Sequence, residues 1–415
     1  MKTQRKTLFM ALLYGLSAAI SLAQDGGEIQ SFGKKYAMRS NILNQDRIYW
    51  VNLPATYDDP RFSPQRYPVL YVFDGKSAFF PLSGILNFMS GPESVNYQVP
   101  EMIFVGIDNE NRLKDLTPNV SAKNTEGVES KEFVDRMLAG SGGGERFIQF
   151  LEKELIPHIE ANYRTLPYLV CIGHSLGGLM SSHFLLHHAG LFDAYLAIDP
   201  SLWWDGASMI NNAPATLKNY PTKKMQRYFM SVVDSSALPA NMTFHLHSIH
   251  KFGSILSDYA PLNLKWKLQV FPETDHSSIP MLSWYYGLRF LFEGYEPDLQ
   301  AMMKDPDLIE RHFKELAEKI GLSMPPPESL FEILTHYLTA PDRFPDPKKA
   351  MVVVTTGLKY HPNSPYLNKS LGLVYDLNKE PGKALQAYEK ALKLDPKDES
   401  IRKKLAELQK KQGIR

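Results

Sequence analysis

Several features are scarce in this sequence of 415 residues. It has one cysteine, Cys171, which excludes an intramolecular disulfide and is a poor candidate for catalysis because it lies in an apolar run. The 46 basic residues are matched by 45 acidic residues, so charge gives no reason to expect a nucleic-acid partner. The apolar stretch at residues 8–22 is shorter than the roughly 20 residues that span a bilayer, and we expect no stable membrane insertion.

The N-terminus has the pattern of an export signal. Lys2, Arg5 and Lys6 precede the apolar stretch, and Ser21-Leu22-Ala23 places small residues where signal peptidase cleaves. This pattern predicts a signal peptide over residues 1–23 and an exported protein, either periplasmic or secreted. The alternative is an uncleaved N-terminal anchor.

A G-x-S-x-G motif occurs at Gly173-His174-Ser175-Leu176-Gly177, between an apolar run and a helical pattern. A serine nucleophile needs an exposed position, a base and N–H groups that receive the developing oxyanion. The glycines permit a strained turn, and the Leu176 N–H lies at a helix N-terminus, where it stabilises negative charge. The motif predicts that Ser175 is a catalytic nucleophile.

Strand-like and helical patterns alternate up to about residue 293. Continuous apolar runs at residues 69–73, 102–107 and 195–198 indicate strands buried on both faces of a mostly parallel sheet. The order of elements predicts an α/β fold, specifically an α/β-hydrolase sheet with helices on both faces. In such sheets, functional groups collect at the carboxyl ends of the strands.

Two further candidates lie at predicted strand ends. The chain order Ser175, Asp234, His276 is that of an α/β-hydrolase triad, with His276 as base and Asp234 as the acid that orients it. Glu273 or Asp275 is an alternative acid, and a Ser-His dyad is also open. We expect no cofactor and no metal site, and we interpret the histidines at positions 183, 187 and 188 as packing or surface residues.

Several separated segments resemble the esterase D family, which includes feruloyl esterases, siderophore esterases and mycolyltransferases. These are residues 67–75, 111–112, 115–118, 154–157, 173–178, 200–204 and 275–278. The resemblance covers roughly residues 42–294 and implies a second oxyanion donor, the backbone N–H of Lys76. The segment around Asp234 lacks the glycine that often precedes the acid of this family.

Three residues are candidates for substrate binding. Trp203 and Trp204 follow a predicted strand end, where an indole could wall the ester site, although paired core tryptophans fit equally. Arg112 is either an anion-binding group or a structural partner of Asp108 or Asp115.

A 34-residue repeat follows the hydrolase pattern. Ala350, Gly357 and Pro362 recur as Ala384, Ala391 and Pro396, a period typical of tetratricopeptide repeats. The predicted organisation is a signal peptide (1–23), an esterase domain (24–295), a helical linker (296–330), two repeats (331–398) and a capping helix (399–415). A protein partner, self-association, or packing on the hydrolase are alternative roles for the repeats. Because every proposed catalytic group precedes residue 295, we expect a fragment ending there to fold and hydrolyse small esters.

The sequence therefore predicts an exported serine carboxylic ester hydrolase that acts through an acyl-enzyme, on carbohydrate-linked acyl esters or siderophore esters. An acyltransferase with the same triad is one alternative. A repeat-based binding scaffold with a degenerate hydrolase domain is another.

Overall fold

The computed structural model describes residues 32–121, 140–234, 243–343 and 345–411. The predicted signal peptide, residues 1–23, lies outside the described residues. Among the described helices, none has the length and apolarity needed to cross a membrane.

Eight strands form one sheet in the order β1-β2-β4-β3-β5-β6-β7-β8. Strands β3 to β8 are joined in parallel, and β2 pairs antiparallel with β4. The strands are β1 (Lys34–Ser40), β2 (Gln45–Asn52), β3 (Tyr67–Phe73), β4 (Ile103–Ile107), β5 (Thr165–His174), β6 (Ala194–Ile198), β7 (Gln226–Val233) and β8 (Leu264–Phe271).

The helices of the hydrolase part alternate with these strands. They are α1 (Gly75–Ser90), α2 (Arg112–Asp115), α3 (Gly144–Phe150), α4 (Ile156–Asn162), α5 (Leu176–His187), α6 (Trp204–Lys218), α7 (Thr243–Tyr259) and α8 (Ile279–Leu291). A π-helical turn, Leu151–Leu155, joins α3 to α4. The C-terminal helices are α9 (Leu299–Lys304), α10 (Leu308–Ile320), α11 (Glu328–Thr339), α12 (Pro347–Tyr360), α13 (Pro365–Leu377), α14 (Pro381–Leu394) and α15 (Glu399–Lys411).

The apolar runs occupy the centre of the sheet. Every residue of β3, β4, β6 and β7 is buried, as expected for parallel strands covered on both faces. The prediction of an α/β-hydrolase sheet followed by a helical region is confirmed. Strand β1 was not predicted, because its sequence Lys34–Ser40 is largely polar and it lies at the sheet edge.

Small residues bring the repeat helices together. A Cβ on Gly357 would lie 2.9 Å from Cγ of Phe331, and one on Gly372 would lie 2.8 Å from the Tyr388 ring. The two positions allow α12 to approach α11 and α13 to approach α14. Helices α14 and α15 bury a smaller apolar cluster of their own, which includes Ala391 and Leu405.

The main core does not end at the predicted domain boundary. Residues Lys35–Arg415 form one compact unit, and the core that contains the sheet continues through α10, α11 and α12 to Val374 in α13. Glu328, which is fully buried, accepts hydrogen bonds from the N–H and hydroxyl of Ser63 at 2.9 and 2.5 Å. The first repeat helices therefore pack on the hydrolase part, which was one of the alternatives for their role.

Candidate active site

Ser175 lies in a sharp turn between β5 and α5. Its backbone has φ 60° and ψ −114°, a conformation that residues other than glycine rarely adopt. Its N–H donates to the Ile198 carbonyl at 2.9 Å, which fixes the turn against β6. Gly173 is required here, because a Cβ at that position would lie 2.1 Å from the Gly177 carbonyl oxygen. The strained turn lifts the Ser175 side chain above the sheet.

His276 lies in the loop between β8 and α8 and lines the same cavity as Ser175. The carboxylate of Asp275 accepts hydrogen bonds from the N–H groups of Ser277 and Ser278 at 2.9 and 2.8 Å, which holds this loop at the start of α8. Nδ1 of His276 lies 2.5 Å from Oδ2 of Asp199. A carboxylate on Nδ1 leaves Nε2 as the nitrogen available to a hydroxyl, which is the tautomer a general base needs.

Asp199 is the carboxylate that the structure pairs with His276, in place of the predicted Asp234. The register explains the difference. Ile198 is level with Ser231, so β7 continues two residues past the end of β6 and Asp234 begins roughly 7 Å farther along the strand direction than Asp199. The alternative acids are also displaced, since Glu273 is exposed and Asp275 caps the α8 turn.

The sequence contains a signal for Asp199 as well as for Asp234. Asp199 directly follows the buried strand β6 and lies between Ser175 and His276 in the chain, so it satisfies the same rule that selected Asp234. Its φ of 40° is a further mark of a constrained position.

Two more histidines surround the pair. His245 on α7 is buried, and its Nε2 lies 3.2 Å from Oδ1 of Asp199. Burial alone would raise the pKa of Asp199, but the contacts with His245 and His276 outweigh it and hold the pKa well below its ordinary value. Asp199 is therefore ionised at any physiological pH.

The ring of His174 lies against His276, with centroids 4.5 Å apart. Burial, reinforced by the neighbouring His276, lowers the pKa of His174 to about 4. His174 is consequently neutral near pH 7, and it adds no positive charge that would oppose protonation of His276.

Ser175 and His276 line one cavity of about 560 Å³. Oγ of Ser175 lies 3.2 Å from Oγ of Ser201, within hydrogen-bond distance. The cavity is bounded by α1, α8 and the ends of β3 and β5, and its wall includes Phe73, Ser77, Ala78, Pro81, Arg112, Ile198, Pro280, Met281 and Trp284. Most of this wall is apolar, which suits an ester with a hydrophobic portion.

The two predicted oxyanion donors differ in their contacts. The N–H of Leu176 opens α5 immediately after Ser175. The N–H of Lys76 donates to Oδ1 of Asp108 at 2.7 Å. The Asp108 carboxylate occupies this donor in the structure, and the role of Lys76 as the second oxyanion donor stays a prediction.

Arg112 makes a structural ion pair, but with neither predicted partner. Its Nε lies 3.0 Å from both carboxylate oxygens of Asp74, and its Nη2 donates to the His174 carbonyl at 2.9 Å. These contacts join the end of β5 to the start of α1. Arg112 also reaches the cavity wall, so it forms part of the site while it holds the site together.

The predicted tryptophans are not among the residues that line this cavity. Trp204 is buried, and its indole N–H donates to the Asn119 carbonyl at 3.2 Å. Trp203 packs edge-on against Phe244 with ring centroids 5.5 Å apart. In the part of the chain that the structure describes, the indole in the cavity wall is that of Trp284 on α8.

Comparisons with known proteins identify what this chain is similar to. Residues 40–237 match the family profile described as "Putative esterase", and residues 366–398 match the tetratricopeptide repeat. Residues 40–237 of this chain are therefore similar to this esterase family. The solved structure of an IroE-like serine hydrolase from Shewanella oneidensis is 27% identical, with a TM-score of 0.69, and the match covers 79% of this chain and 99% of that protein.

Two relatives carry esterase names. The ferri-bacillibactin esterase BesA of Bacillus subtilis is 29% identical over 52% of this chain and 72% of its own length. The siderophore triacetylfusarinine C esterase of Aspergillus fumigatus is 25% identical over 45% of this chain, which spans 60% of that protein. The prediction of a serine esterase is confirmed at the level of the enzyme class.

Proposed function

We propose that this esterase cleaves carboxylic esters through an acyl-enzyme, with Ser175 as nucleophile, His276 as base and Asp199 as the acid that orients His276. The 2.5 Å contact between His276 Nδ1 and Asp199 Oδ2, at the wall of the cavity that Ser175 enters, is the observation that carries the proposal. It fixes the imidazole in the tautomer that accepts a proton at Nε2.

In the first step, Oγ of Ser175 bonds to the ester carbonyl carbon and its proton passes to Nε2 of His276. The oxyanion intermediate collapses, and the alkoxide leaves with that proton as an alcohol. Water then attacks the acyl-enzyme, gives a proton to His276, and releases the carboxylic acid as Oγ regains a proton. Asp199 stabilises the imidazolium in both halves of the reaction.

The Leu176 N–H supplies one oxyanion donor at the N-terminus of α5. Lys76 would serve as the second only after Asp108 releases its N–H. The proposed hole therefore needs a local rearrangement of the α1 turn when substrate binds.

We propose siderophore esters as the substrate class ahead of carbohydrate-linked acyl esters. Both named relatives act on siderophores according to their names, and the apolar cavity wall suits an aromatic or hydrophobic acid portion. The same proposal includes export through the N-terminal signal. It also includes binding of a protein partner, or self-association, through the repeat at residues 366–398. Acyl transfer to an alcohol uses the same residues and remains the alternative.

The test is trapping of the acyl-enzyme. Wild-type protein mixed with a p-nitrophenyl ester is expected to show a burst of one equivalent and an adduct on the peptide that contains Ser175, measured by mass spectrometry. Ser175→Ala is expected to lose about 10⁴- to 10⁶-fold in turnover, whereas the matched control Ser201→Ala keeps its adduct and most of its turnover. An adduct on Ser201, or more than a tenth of the turnover in Ser175→Ala, would contradict the proposal.

A substrate panel then separates the classes. Catecholate trilactones, acetylated sugars and feruloyl esters are compared by kcat/KM, with and without added alcohol. Preference for the trilactone supports the siderophore class, and a rate increase with alcohol identifies a transferase. Absence of turnover on every ester would support the scaffold alternative.

A further inference from the structure

A second group of titratable side chains lies toward the opposite end of α5 from Ser175. At 1.5 Å per residue, its histidines at positions 183 and 188 are roughly 12 and 20 Å from Ser175 along the helix axis. Nε2 of His183 lies 2.9 Å from Oε1 of Glu145, and Nε2 of His188 lies 3.4 Å from Oε2 of the same carboxylate. The three ligand atoms all lie within 4.8 Å of one another.

Backbone geometry creates this convergence. Helix α5 ends at His187, and His188 follows in a non-helical conformation with φ −131° and ψ 37°. This turn brings the His188 ring to the same carboxylate as His183, although five positions separate them. Glu145 comes from the first turn of α3, which is distant in sequence. Sequence spacing alone gave no signal for the cluster.

The distances match those in a metal site. In a tetrahedral zinc centre, imidazole nitrogens and carboxylate oxygens lie about 2.0–2.2 Å from the ion, so neighbouring ligand atoms are roughly 3.3 Å apart. The two histidine–carboxylate distances of 2.9 and 3.4 Å bracket that value. Small side-chain movements would suffice to centre an ion among the three atoms.

The exposure of the three groups also suits a cation. The His183 side chain is 11% exposed, whereas that of Glu145 is 53% exposed. The histidine would be held by its surroundings and the carboxylate would remain accessible to an incoming ion. Two imidazoles and one carboxylate favour zinc and similar borderline cations over magnesium or calcium, which prefer oxygen ligands.

We propose that Glu145, His183 and His188 bind a divalent cation of the zinc class, with the fourth position open to water. The ion would clamp the start of α3 to the end of α5, the helix that carries Ser175 at its other end. This site is independent of the proposed ester chemistry. The alternative is that no ion binds and that the two histidines simply pair with the Glu145 carboxylate.

The experiment uses the untagged full-length chain and measures binding of Zn²⁺ by equilibrium dialysis with elemental analysis. Co²⁺ absorption reports the coordination geometry. One equivalent of Zn²⁺ is expected, with visible Co²⁺ bands of a four-coordinate site. Glu145→Gln and His188→Gln are each expected to weaken Zn²⁺ binding at least about 100-fold, since even outer-shell substitutions cost 10- to 100-fold.

Two controls localise the ion. His187→Gln removes an exposed imidazole whose ring lies 4.7 Å from that of His183, and binding should persist. His276→Ala removes a member of a second cluster with suitable atoms, Asp199, His245 and His276, and binding should also persist. Equal Zn²⁺ affinity in wild type and Glu145→Gln, or loss of the ion in His276→Ala alone, would overturn the proposal.

Discussion

Substitution of Asp199 by Asn tests the revised acid directly. The carboxylate is fully buried and contacts His276 at 2.5 Å and His245 at 3.2 Å. An amide removes the negative charge and can present its NH₂ group to Nδ1 of His276. That contact would favour the tautomer with the proton on Nε2, which cannot accept a proton from Ser175.

The expected loss is large and falls on kcat. In serine hydrolases this exchange costs about 10⁴ in turnover, because the geometry is kept while the imidazole has the wrong tautomer. For Asp199→Asn we expect a loss of about 10³ to 10⁴ in kcat and less than about threefold change in KM. Asp234→Asn and Glu273→Gln serve as matched controls and should keep most of the wild-type turnover.

The assay is steady-state hydrolysis of a short-chain aryl ester between pH 6 and 9, with thermal unfolding of each variant to verify the fold. A cooperative transition in an inactive Asp199→Asn variant separates lost chemistry from lost structure. The reasoning would be refuted if a folded Asp199→Asn kept more than a tenth of wild-type kcat. It would also fail if Asp234→Asn lost activity by the same factor.

Two other predictions concern stability. Burial raises the pKa of Glu101 to about 7, with partial offset by hydrogen bonds from Thr56. The protonated carboxyl therefore contributes stability that is present below its ordinary pKa and is lost as the pH rises through 7. At pH 8 the free energy of unfolding of Glu101→Gln should exceed that of wild type by up to about 3 kcal/mol, and at pH 5 the two should be nearly equal. A fragment ending at Tyr295 should aggregate or unfold. Its Tyr295 ring would lose the contact with Phe313, and its Ser63 would lose the hydrogen bonds to Glu328. Circular dichroism and light scattering measure this, and a soluble, cooperative and active fragment would contradict it.

The central sheet could be predicted because its signal is local. Runs such as Tyr67–Phe73 and Ala194–Ile198 are apolar throughout and have the length of a strand, a pattern typical of strands buried on both faces. Strand β1 lacks the signal because an edge strand with one covered face has few apolar residues. Its place in the sheet depends on pairing with β2, which composition does not encode.

The catalytic candidates divide in the same way. Ser175 could be predicted because five consecutive residues, 173–177, determine the strained turn that holds it. Gly173 is needed there for the close approach to Gly177. Position in the sequence does not identify the acid, because Asp199 and Asp234 both follow buried strands. The choice between them depends on how far β7 extends past β6, and that offset is a property of the sheet register.

The predicted domain boundary at residue 295 marks a change of secondary structure but not the end of the hydrophobic core. A change from alternating strands to a 34-residue helical period marks a change of architecture, and the structure has that change. Architecture and core need not end together, however. Phe313 packs against Tyr295, and the carboxylate of Glu328 is buried on Ser63. Because a buried carboxylate is costly unless it is hydrogen-bonded, the Ser63–Glu328 contact indicates that the early repeat helices fold against the esterase part rather than beside it.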